Sequence, residues 1–499
     1  MKNPQGYILS IDQSTSATKV MLFDHAARLA GRVSIPHNQF YPEPGFVEHD
    51  AAEIFINTIS GAEALILKTG IRKEEIACIS ITNQRETTLM WDRHTGKPLS
   101  NAAVWQCRRG MGICEELKRA GYDGMIRKKT GLLADPYFSA SKLRWMMKNI
   151  PGAKERAGRG DLLLGTIDSW LLWNLTGRKV HATDHSNASR TMLFNINTLK
   201  WDSELVNLFE LYPSMFPEIK FSDEIFGNVA PEFGSLAGIP VAGLIGDSHG
   251  ALFGQHCFSP GMTKATYGTG SSIMMNIGKS PADAPEGLVT SIGFSRDNSV
   301  DYVFEGNIHC TGDTINWLIN ELKLIQSPAE AETMARSVTG TEGVYFVPAF
   351  VGLGAPYWDS DARAGICGMN RNTSKAHIVR AALESIAYQV RDLISLMTER
   401  SGIMTRELRV DGGPAGNDFL MQFQADILDT NIVRAGIEEI SALGSAFMAG
   451  LAFGFWRDIE EIGKLRIVDK TFTGRMPSAE IEALYNGWLL AVKRMRMKE

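Results

Sequence analysis

Apolar and polar positions alternate in short runs along much of the chain, and the runs break at turns rich in Gly, Ser, Thr and Asp. Four early runs predict strands: Tyr7–Ile11, Lys19–Asp24, Ala77–Thr82 and Thr88–Asp92. Ala51–Lys68 and Gly112–Ala120 carry helical spacing. Residues 135–210 read as mainly helical, with Leu162–Leu175 strongly apolar. A new strand cluster opens at Pro240–Gly246, close to the midpoint. Later helices are predicted over His309–Leu324, Ala376–Glu399, Phe419–Ile427 and Ser441–Gly454. The last of these spaces Gly444, Ala446, Ala449 and Gly450 closely, a pattern of tight helix packing. Strands alternating with helices predict a layered α/β fold. A boundary is expected near residues 245–260, dividing 1–250 from 251–499. No low-complexity linker marks it, which predicts a broad hinge rather than a tether.

Three turns carry chemistry. The first apolar run ends on Asp12, passes through Gln13-Ser-Thr-Ser-Ala17, and resumes at Val20. This reads as a β-hairpin whose tip presents an acid and several hydroxyls. Backbone N–H groups with the hydroxyls of Thr15 and Ser16 suit phosphate oxygens, and Asp12 suits the shell of Mg²⁺. Local turn chemistry alone also selects Asp, Ser and Thr at such places. The pattern recurs at Met262-Thr-Lys-Ala-Thr-Tyr-Gly-Thr-Gly-Ser-Ser-Ile-Met-Met-Asn276, with Gly268, Thr269 and Gly270 at the turn. There the glycines are expected to supply positive φ and close backbone approach. A third element, Arg409-Val-Asp-Gly-Gly-Pro-Ala-Gly-Asn417, precedes a helical stretch and suits a base or a phosphate. Two phosphate hairpins half a chain apart imply a duplicated architecture with nucleotide between the halves.

Bulk properties remove other classes. With 499 residues, 44% hydrophobic and 21% charged, the chain reads as a globular enzyme of at least two domains. A net charge of −5 without a basic stripe argues against nucleic acid or a membrane surface. Cysteines at 78, 107, 114, 257, 310 and 367 form no CxxC pair and no cluster with histidine, which points to a reducing cytoplasm rather than disulfides or zinc. No basic-then-apolar leader and no run of membrane-spanning length is evident.

Longer motifs sharpen the picture. They include Ile81-Thr-Asn-Gln-Arg-Glu-Thr87, Val104-Trp-Gln-Cys-Arg-Arg109, Asp135-Pro-Tyr-Phe-Ser-Ala-Ser-Lys-Leu-Arg-Trp145, Ser186-Asn-Ala-Ser-Arg-Thr-Met-Leu-Phe-Asn195 and Gly246-Asp247 with Leu252-Phe-Gly-Gln255. Tyr137–Trp145 fits one family signature, and Ala364–Glu384 fits the other. Together they resemble the FGGY carbohydrate kinases, and among these the glycerol kinases, essentially end to end. The resemblance implies two RNase-H-like domains of the actin/Hsp70 ATPase type closing over ATP, with Mg²⁺ as cofactor. It implies a cytoplasmic enzyme that acts on a small-molecule polyol, and a homo-oligomer (dimer or tetramer) is expected.

The resemblance also implies residue roles. Thr15 and Ser16 match the first phosphate loop, with Asp12 near Mg²⁺. Gly268 and Thr269 match the second loop, Gly312 and Asn316 line the nucleotide, and Gly413 with Asn417 lies on the adenosine side. Arg85, Glu86, Trp105, Tyr137 and Asp247 match the polyol pocket. Transfer to an alcohol requires the hydroxyl to be aimed in line and to lose its proton, so Asp247 is the expected general base. The alternatives are that Asp247 caps the following helix, that Arg85-Glu86 is an ordinary surface pair, and that Trp105 and Tyr137 are plain core aromatics.

Three departures from the family pattern stand out. Ser14 replaces a usual Gly at the first tip. Ser248, followed by His249, replaces a usual Gln after the base. Ser272, after Ser271, replaces a usual Phe. Losing a buried aromatic forfeits about 1.5–3 kcal/mol of apolar contact and opens space for further CHOH units. A tetritol, pentitol or ketose is therefore an alternative to glycerol as substrate. The segment Asn228–Pro240 holds no Lys or Arg, against control by a sugar bisphosphate through that loop. An actin/Hsp70-like ATPase switch and a catalytically silent sugar sensor are the competing functions. A switch has no need of the Arg85, Glu86, Trp105, Tyr137 and Asp247 set, and a silent sensor has no need of Asp12, Asp247 and Thr269.

Overall fold

In the computed structural model, residues 6–496 are described, except Trp358 and Ser360. Two mixed sheets built on one plan dominate the architecture. In the first, strands Tyr7–Gln13, Ala17–Phe23 and Leu29–Pro36 form an antiparallel meander. On the other side of Tyr7–Gln13 lie Ile76–Asn83 and then Pro240–Gly246, both parallel to it. In the second, Met262–Tyr267 pairs antiparallel with Ser271–Gly278, which pairs with Ser299–Ile308. On the far side lie Glu407–Asp411 and Ile432–Ala435, both parallel to Met262–Tyr267. In each sheet the first strand therefore lies between its hairpin partner and the parallel strands that come later in the chain, Val289–Arg296 forms the outer edge of the second sheet beside Ser299–Ile308, and each sheet begins with a hairpin whose tip carries hydroxyl residues. The helix Ala51–Thr69 makes the first crossover, and Lys375–Ser401 and Asp418–Leu428 make those of the second sheet.

The central strands are buried on both faces, so they read as continuous apolar runs. In Tyr7–Gln13, Leu9 and Ile11 join one core while Ile8 joins another. The second face is covered from far along the chain. Helix Ile440–Phe453 packs across Tyr7–Gln13, Ile76–Asn83 and Pro240–Gly246, in a cluster that also holds Met274, Phe294 and Val303 of the second sheet. Buried hydroxyls register this contact: Ser445 Oγ lies 2.9 Å from Ser10 Oγ and 3.0 Å from Ser80 Oγ. The late helix thus belongs to the core shared by both halves.

Residues 135–210 are mainly helical but hold the short strands Ala182–Asp184, Phe194–Asn195 and Lys200–Trp201, and one longer strand corrects the helical reading. Leu162–Thr166 is a strand paired antiparallel with Thr88–Asp92, and the helix begins at Ile167. Short apolar runs carry no period that separates a buried strand from a buried helix. Among the described residues no helix is long and apolar enough to cross a membrane.

Small residues in Ile440–Phe453 admit helix Asp247–Gly254 at backbone contact. A methyl at Gly444 would sit 1.8 Å from the Gly250 carbonyl oxygen and 2.8 Å from Gly254 N. Overpacking of this kind costs about 1–3 kcal/mol. Gly444→Ala is therefore expected to lower the thermal unfolding midpoint. Gly463→Ala, whose methyl would meet open space, is expected to leave it unchanged or raise it. Differential scanning calorimetry of the two variants checks the contrast.

Candidate active site

The carboxyl ends of three parallel strands meet at one edge of the first sheet. Asp12 is in register with Thr82, Gln13 with Asn83, and Gly246 with Asn83. Asp12, Arg85 and Asp247 therefore leave the sheet side by side, the place where open α/β sheets bind ligands. Asp12 is buried, and burial pushes its carboxyl up to about 7 against the pull of Lys19, with Asp247 and Glu439 adding to the rise. Lys19 is instead paired with Glu439 at 2.9 Å.

The first hairpin tip closes through Ser14, whose N and Oγ both donate to Ala17 O at 3.0 and 2.9 Å. None of residues 14–16 has positive φ, which is why Ser is accommodated at position 14. Thr15 Oγ1 accepts from the Trp105 indole at 3.0 Å, and Ser16 is exposed. Behind the tip, His37 Nε2 sits 2.9 Å from Thr15 O, and the His37 and His49 rings meet edge-on at 4.6 Å.

The second tip is knit to the helix Gly312–Asn320 through backbone bonds. Thr311 N and Asp313 N donate to Thr269 O, and Gly312 N donates to Gly268 O. The glycines at this tip serve close approach alone, which corrects half of the sequence expectation. Neither Gly268 nor Gly270 has positive φ, but a methyl on Gly270 would meet Ile308 O at 2.3 Å. In the Gly-Gly turn the left-handed residue is Gly412, at φ +92°, stacked on Tyr267 O. A cavity of about 490 Å³ brings together Gly268, Thr269, Gly312, Asn316, Gly413 and Asn417, with Ile315, Leu383, Ile386 and Leu420 as its apolar lining. The Asn417 carboxamide oxygen caps helix Asp418–Leu428 at 2.9 Å, which leaves its two N–H donors for the cavity.

At the opposite end, the pair Arg85-Glu86 is no surface pair. The two residues are 5% and 1% exposed, and each finds a different partner. Arg85 Nε lies 3.2 Å from Asp247 Oδ1, and Glu86 accepts from Arg190 Nε at 2.6 Å. Glu86 holds φ +59° while Thr87 N reaches back to Arg85 O at 2.6 Å, a tight turn that stores about 1–3 kcal/mol of strain. Burial raises the Glu86 carboxyl, with Arg190 and Arg85 opposing the rise. Trp105 and Tyr137 are half-buried and meet edge to face at 5.5 Å, so they form a wall rather than a core. Asp247 is the first residue of its helix and not its cap, which is Gly246; its Oδ1 accepts from the adjacent Ser248 N at 2.6 Å beside the Arg85 contact.

Half-buried Ser272 lies beside a charge that sequence reasoning missed. Lys264 is fully buried and donates to Thr266 Oγ1 at 3.1 Å and Ser272 Oγ at 3.4 Å. Burial lowers its pKa, opposed by Asp411, Glu305 and Asp247. Arg190 and Glu305 were also missed as site residues. The available signal was a charged residue inside a strand-like run, at Lys264 and at Glu305 alike.

Comparison with known proteins agrees with this geometry. The model for the FGGY family of carbohydrate kinases, N-terminal domain, matches residues 7–254, and that for the C-terminal domain matches 263–453. A glycerol kinase of Caldanaerobacter subterraneus is 50% identical over 488 residues, covering 98% of each chain. Glycerol kinase 1 of Thermotoga maritima is 50% identical over 490 residues, covering 98% of this chain and 99% of that one. The crystal structure of Plasmodium falciparum glycerol kinase with ADP superposes with a TM-score of 0.95 at 39% identity, covering 99% of both chains. A xylulose kinase of Lactobacillus acidophilus shares the fold at 23% identity, with a TM-score of 0.89 over 98% of both chains. Two sheets of one plan, a deep pocket on one and converging acids on the other are thus the actin/Hsp70-like arrangement, and the chain belongs to the FGGY family of carbohydrate kinases.

Proposed function

We propose that the protein transfers the γ-phosphate of ATP to a terminal hydroxyl of glycerol or a closely related small polyol, with Asp247 as general base. One observation carries the reading: Asp247 leaves its strand at the same sheet edge as Asp12, with Ile76–Asn83 between them, and is paired with Arg85 but more exposed than it. In the step itself the acceptor oxygen bonds to the γ-phosphorus, the bond to the β-phosphate oxygen breaks, and the acceptor proton passes to Asp247. Arg85 and Glu86 donate to and accept from the acceptor hydroxyls, and Trp105 with Tyr137 covers its carbon face. Thr15 and Ser16 on one tip, and Gly268 and Thr269 on the other, hold the phosphates. Gly312, Asn316, Gly413 and Asn417 take the adenosine in the 490 Å³ cavity.

A hard dication fits beside Asp12. The site offers a buried carboxylate with Asp247 near it and oxygen donors on the tip, and among the described residues no cluster of three or more acids, histidines or cysteines competes for the ion. Mg²⁺ is held elsewhere through one or two carboxylates plus substrate phosphates, and when bound it neutralises charge on the transferring group.

A longer acceptor is favoured by Ser272 and Ser248. Ser272 Oγ accepts from Lys264, which can only donate, so its own O–H remains free for an oxygen of the acceptor. A coupled ADP assay over C3 to C6 polyols and ketoses is expected to show turnover with glycerol and, within about a hundredfold in kcat/KM, with a C4 acceptor. A larger preference for glycerol over every C4 and C5 compound removes the longer-acceptor reading. ADP release that ignores all acceptors removes the kinase reading in favour of an ATPase switch.

Asp247→Asn is expected to lower acceptor phosphorylation by about 10²–10⁴-fold while nucleotide affinity changes little. Retained turnover removes Asp247 as base. The Asp12 carboxyl titrates near about 7 in the fold against 3.8 unfolded. Its contribution to stability is complete below pH 3.8 and is lost as pH rises through about 7. A dication needs the ionised form, so affinity for Mg²⁺-nucleotide is expected to weaken as pH falls below about 7. Calorimetry just below that pH, in two buffers of different ionisation enthalpy, is expected to show proton release on binding by the native protein and none by Asp12→Asn.

A further inference from the structure

Strand Ser299–Ile308 turns two faces to different surroundings. Phe304 and Ile308 enter the core of the second sheet with Ala265, Tyr267, Ile273 and Met275. Glu305 and Asn307 lie on the opposite face, level with Met274 and Ser272. The Glu305 side chain is fully buried there. Its carboxylate receives two parallel hydrogen bonds from Arg85, Nη1 to Oε2 at 2.9 Å and Nη2 to Oε1 at 2.8 Å. Arg190 Nη1 lies 2.7 Å from Oε2 but off its N–H direction, so this second contact is an ion pair and not a linear hydrogen bond.

The contacts form an alternating row: Glu86, Arg190, Glu305, Arg85, Asp247. Its two ends are carboxylates proposed above to meet the acceptor. Its middle comes from the other sheet. Burial alone would raise the Glu305 carboxyl, but Arg190 and Arg85 outweigh it and hold the group below the usual carboxylate range. The fork takes one N–H from each terminal nitrogen of Arg85, and Nε is turned to Asp247. The guanidinium plane is therefore fixed, and with it the directions of the three N–H groups outside the fork, Nε–H among them. Glu305 also sits on a strand paired directly with Ser271–Gly278, which runs out of the Gly268–Gly270 tip, with Ser271 opposite Ile308 and Met274 opposite Glu305.

We propose that Glu305, acting through Arg85 and Arg190, is the positioning residue that registers the acceptor-holding side chains of the first sheet against the phosphate-holding tip of the second. The inference rests on the kinase reading above and deepens it. It separates holding the adenosine, which needs the second sheet alone, from aiming the acceptor at the phosphates, which needs both. A purely structural tie would alter stability and every kinetic constant together. A positioning residue instead changes how many ATP molecules are spent per acceptor phosphorylated.

The test compares Glu305→Gln, which keeps shape and removes charge, with Glu305→Asp, which keeps charge and withdraws the carboxylate by one methylene. Each full-length variant is assayed beside the native protein for glycerol phosphate formed, total ATP consumed, and directly measured ATP affinity. Misplacement by about 1 Å costs about 10²-fold in transfer, so Glu305→Gln is expected to lose about a hundredfold in acceptor kcat and Glu305→Asp about tenfold. ATP affinity is expected to stay within about twofold, and the ratio of acceptor phosphorylated to ATP consumed to fall in both variants. An unchanged ratio overturns the proposal, whether or not the rates fall. So does an acceptor kcat in Glu305→Gln within about threefold of native. If Glu305→Gln does not fold, Glu305→Asp decides alone: a lowered ratio supports the role and an unchanged one removes it. A native protein that phosphorylates no acceptor at all overturns the kinase reading itself, and the inference falls with it. A competent native protein with unchanged variant ratios overturns the inference only.

Discussion

A carboxylate sealed from water must find a cation or give up its charge, and the centre of this protein is organised by that constraint. Glu305 meets it with two guanidinium groups, and each guanidinium then reaches a further acid, Asp247 or Glu86. Asp12 meets it differently. Its nearest cation, Lys19, is engaged by Glu439, so burial leaves the Asp12 carboxyl near about 7. One acid is therefore held firmly ionised, and the other is pushed by burial toward its neutral form. Breaking a buried pair by removing one partner costs about 3–5 kcal/mol, much of it for the charge left behind. The row from Glu86 to Asp247 consequently stands or falls as a unit.

Geometry supplies the other half. Both sheets begin with a hairpin and continue with crossovers to parallel strands on the far side of its first strand. This topology puts the hairpin tip and the carboxyl ends of the parallel strands at the same edge. Each sheet thus brings a phosphate-binding turn next to strand-end residues without any added element. Asp12, Arg85 and Asp247 on the first sheet, and Thr269 with Gly413 on the second, are consequences of strand order as much as of local sequence.

Much of this was legible in the chain because it is local. A hairpin with a hydroxyl tip, a strand that ends on Gly-Asp and a Gly-Gly turn before a helix each declare themselves within a dozen residues, as the two tips, Gly246-Asp247 and Gly412–Asn417 did. What escaped is what depends on a partner far away. Leu162–Thr166 is a strand because Thr88–Asp92 lies beside it, not because of its own spacing. Close approach was legible at Gly270 and Gly444, but the backbone atoms that approach them, at Ile308 and Gly250, lie elsewhere in the chain and were not. Arg190 was visible within a motif yet without a role. Its partners stand at positions 86 and 305, and neither spacing nor period connects the three.

The same links explain how one pocket can sense the other. Trp105 covers the acceptor wall and donates its indole N–H to Thr15 on the first phosphate tip. Because Thr15 Oγ1 accepts that bond, its own O–H is left to donate toward phosphate. On the opposite side, Arg85 is gripped by a carboxylate three strand positions from the second tip. On the proposed reading the acceptor wall is tied to the first tip by one neutral hydrogen bond and to the strand beside the second tip by two ionic links, Arg85 to Glu305 and Glu86 through Arg190 to Glu305. On that reading, a hydroxyl seated between Arg85 and Asp247 is fixed relative to both tips at once, whereas a water molecule in the same place lacks the carbon face that Trp105 and Tyr137 would cover. Discrimination between alcohol and water then follows from alignment, since only the larger acceptor is held at enough points to be aimed.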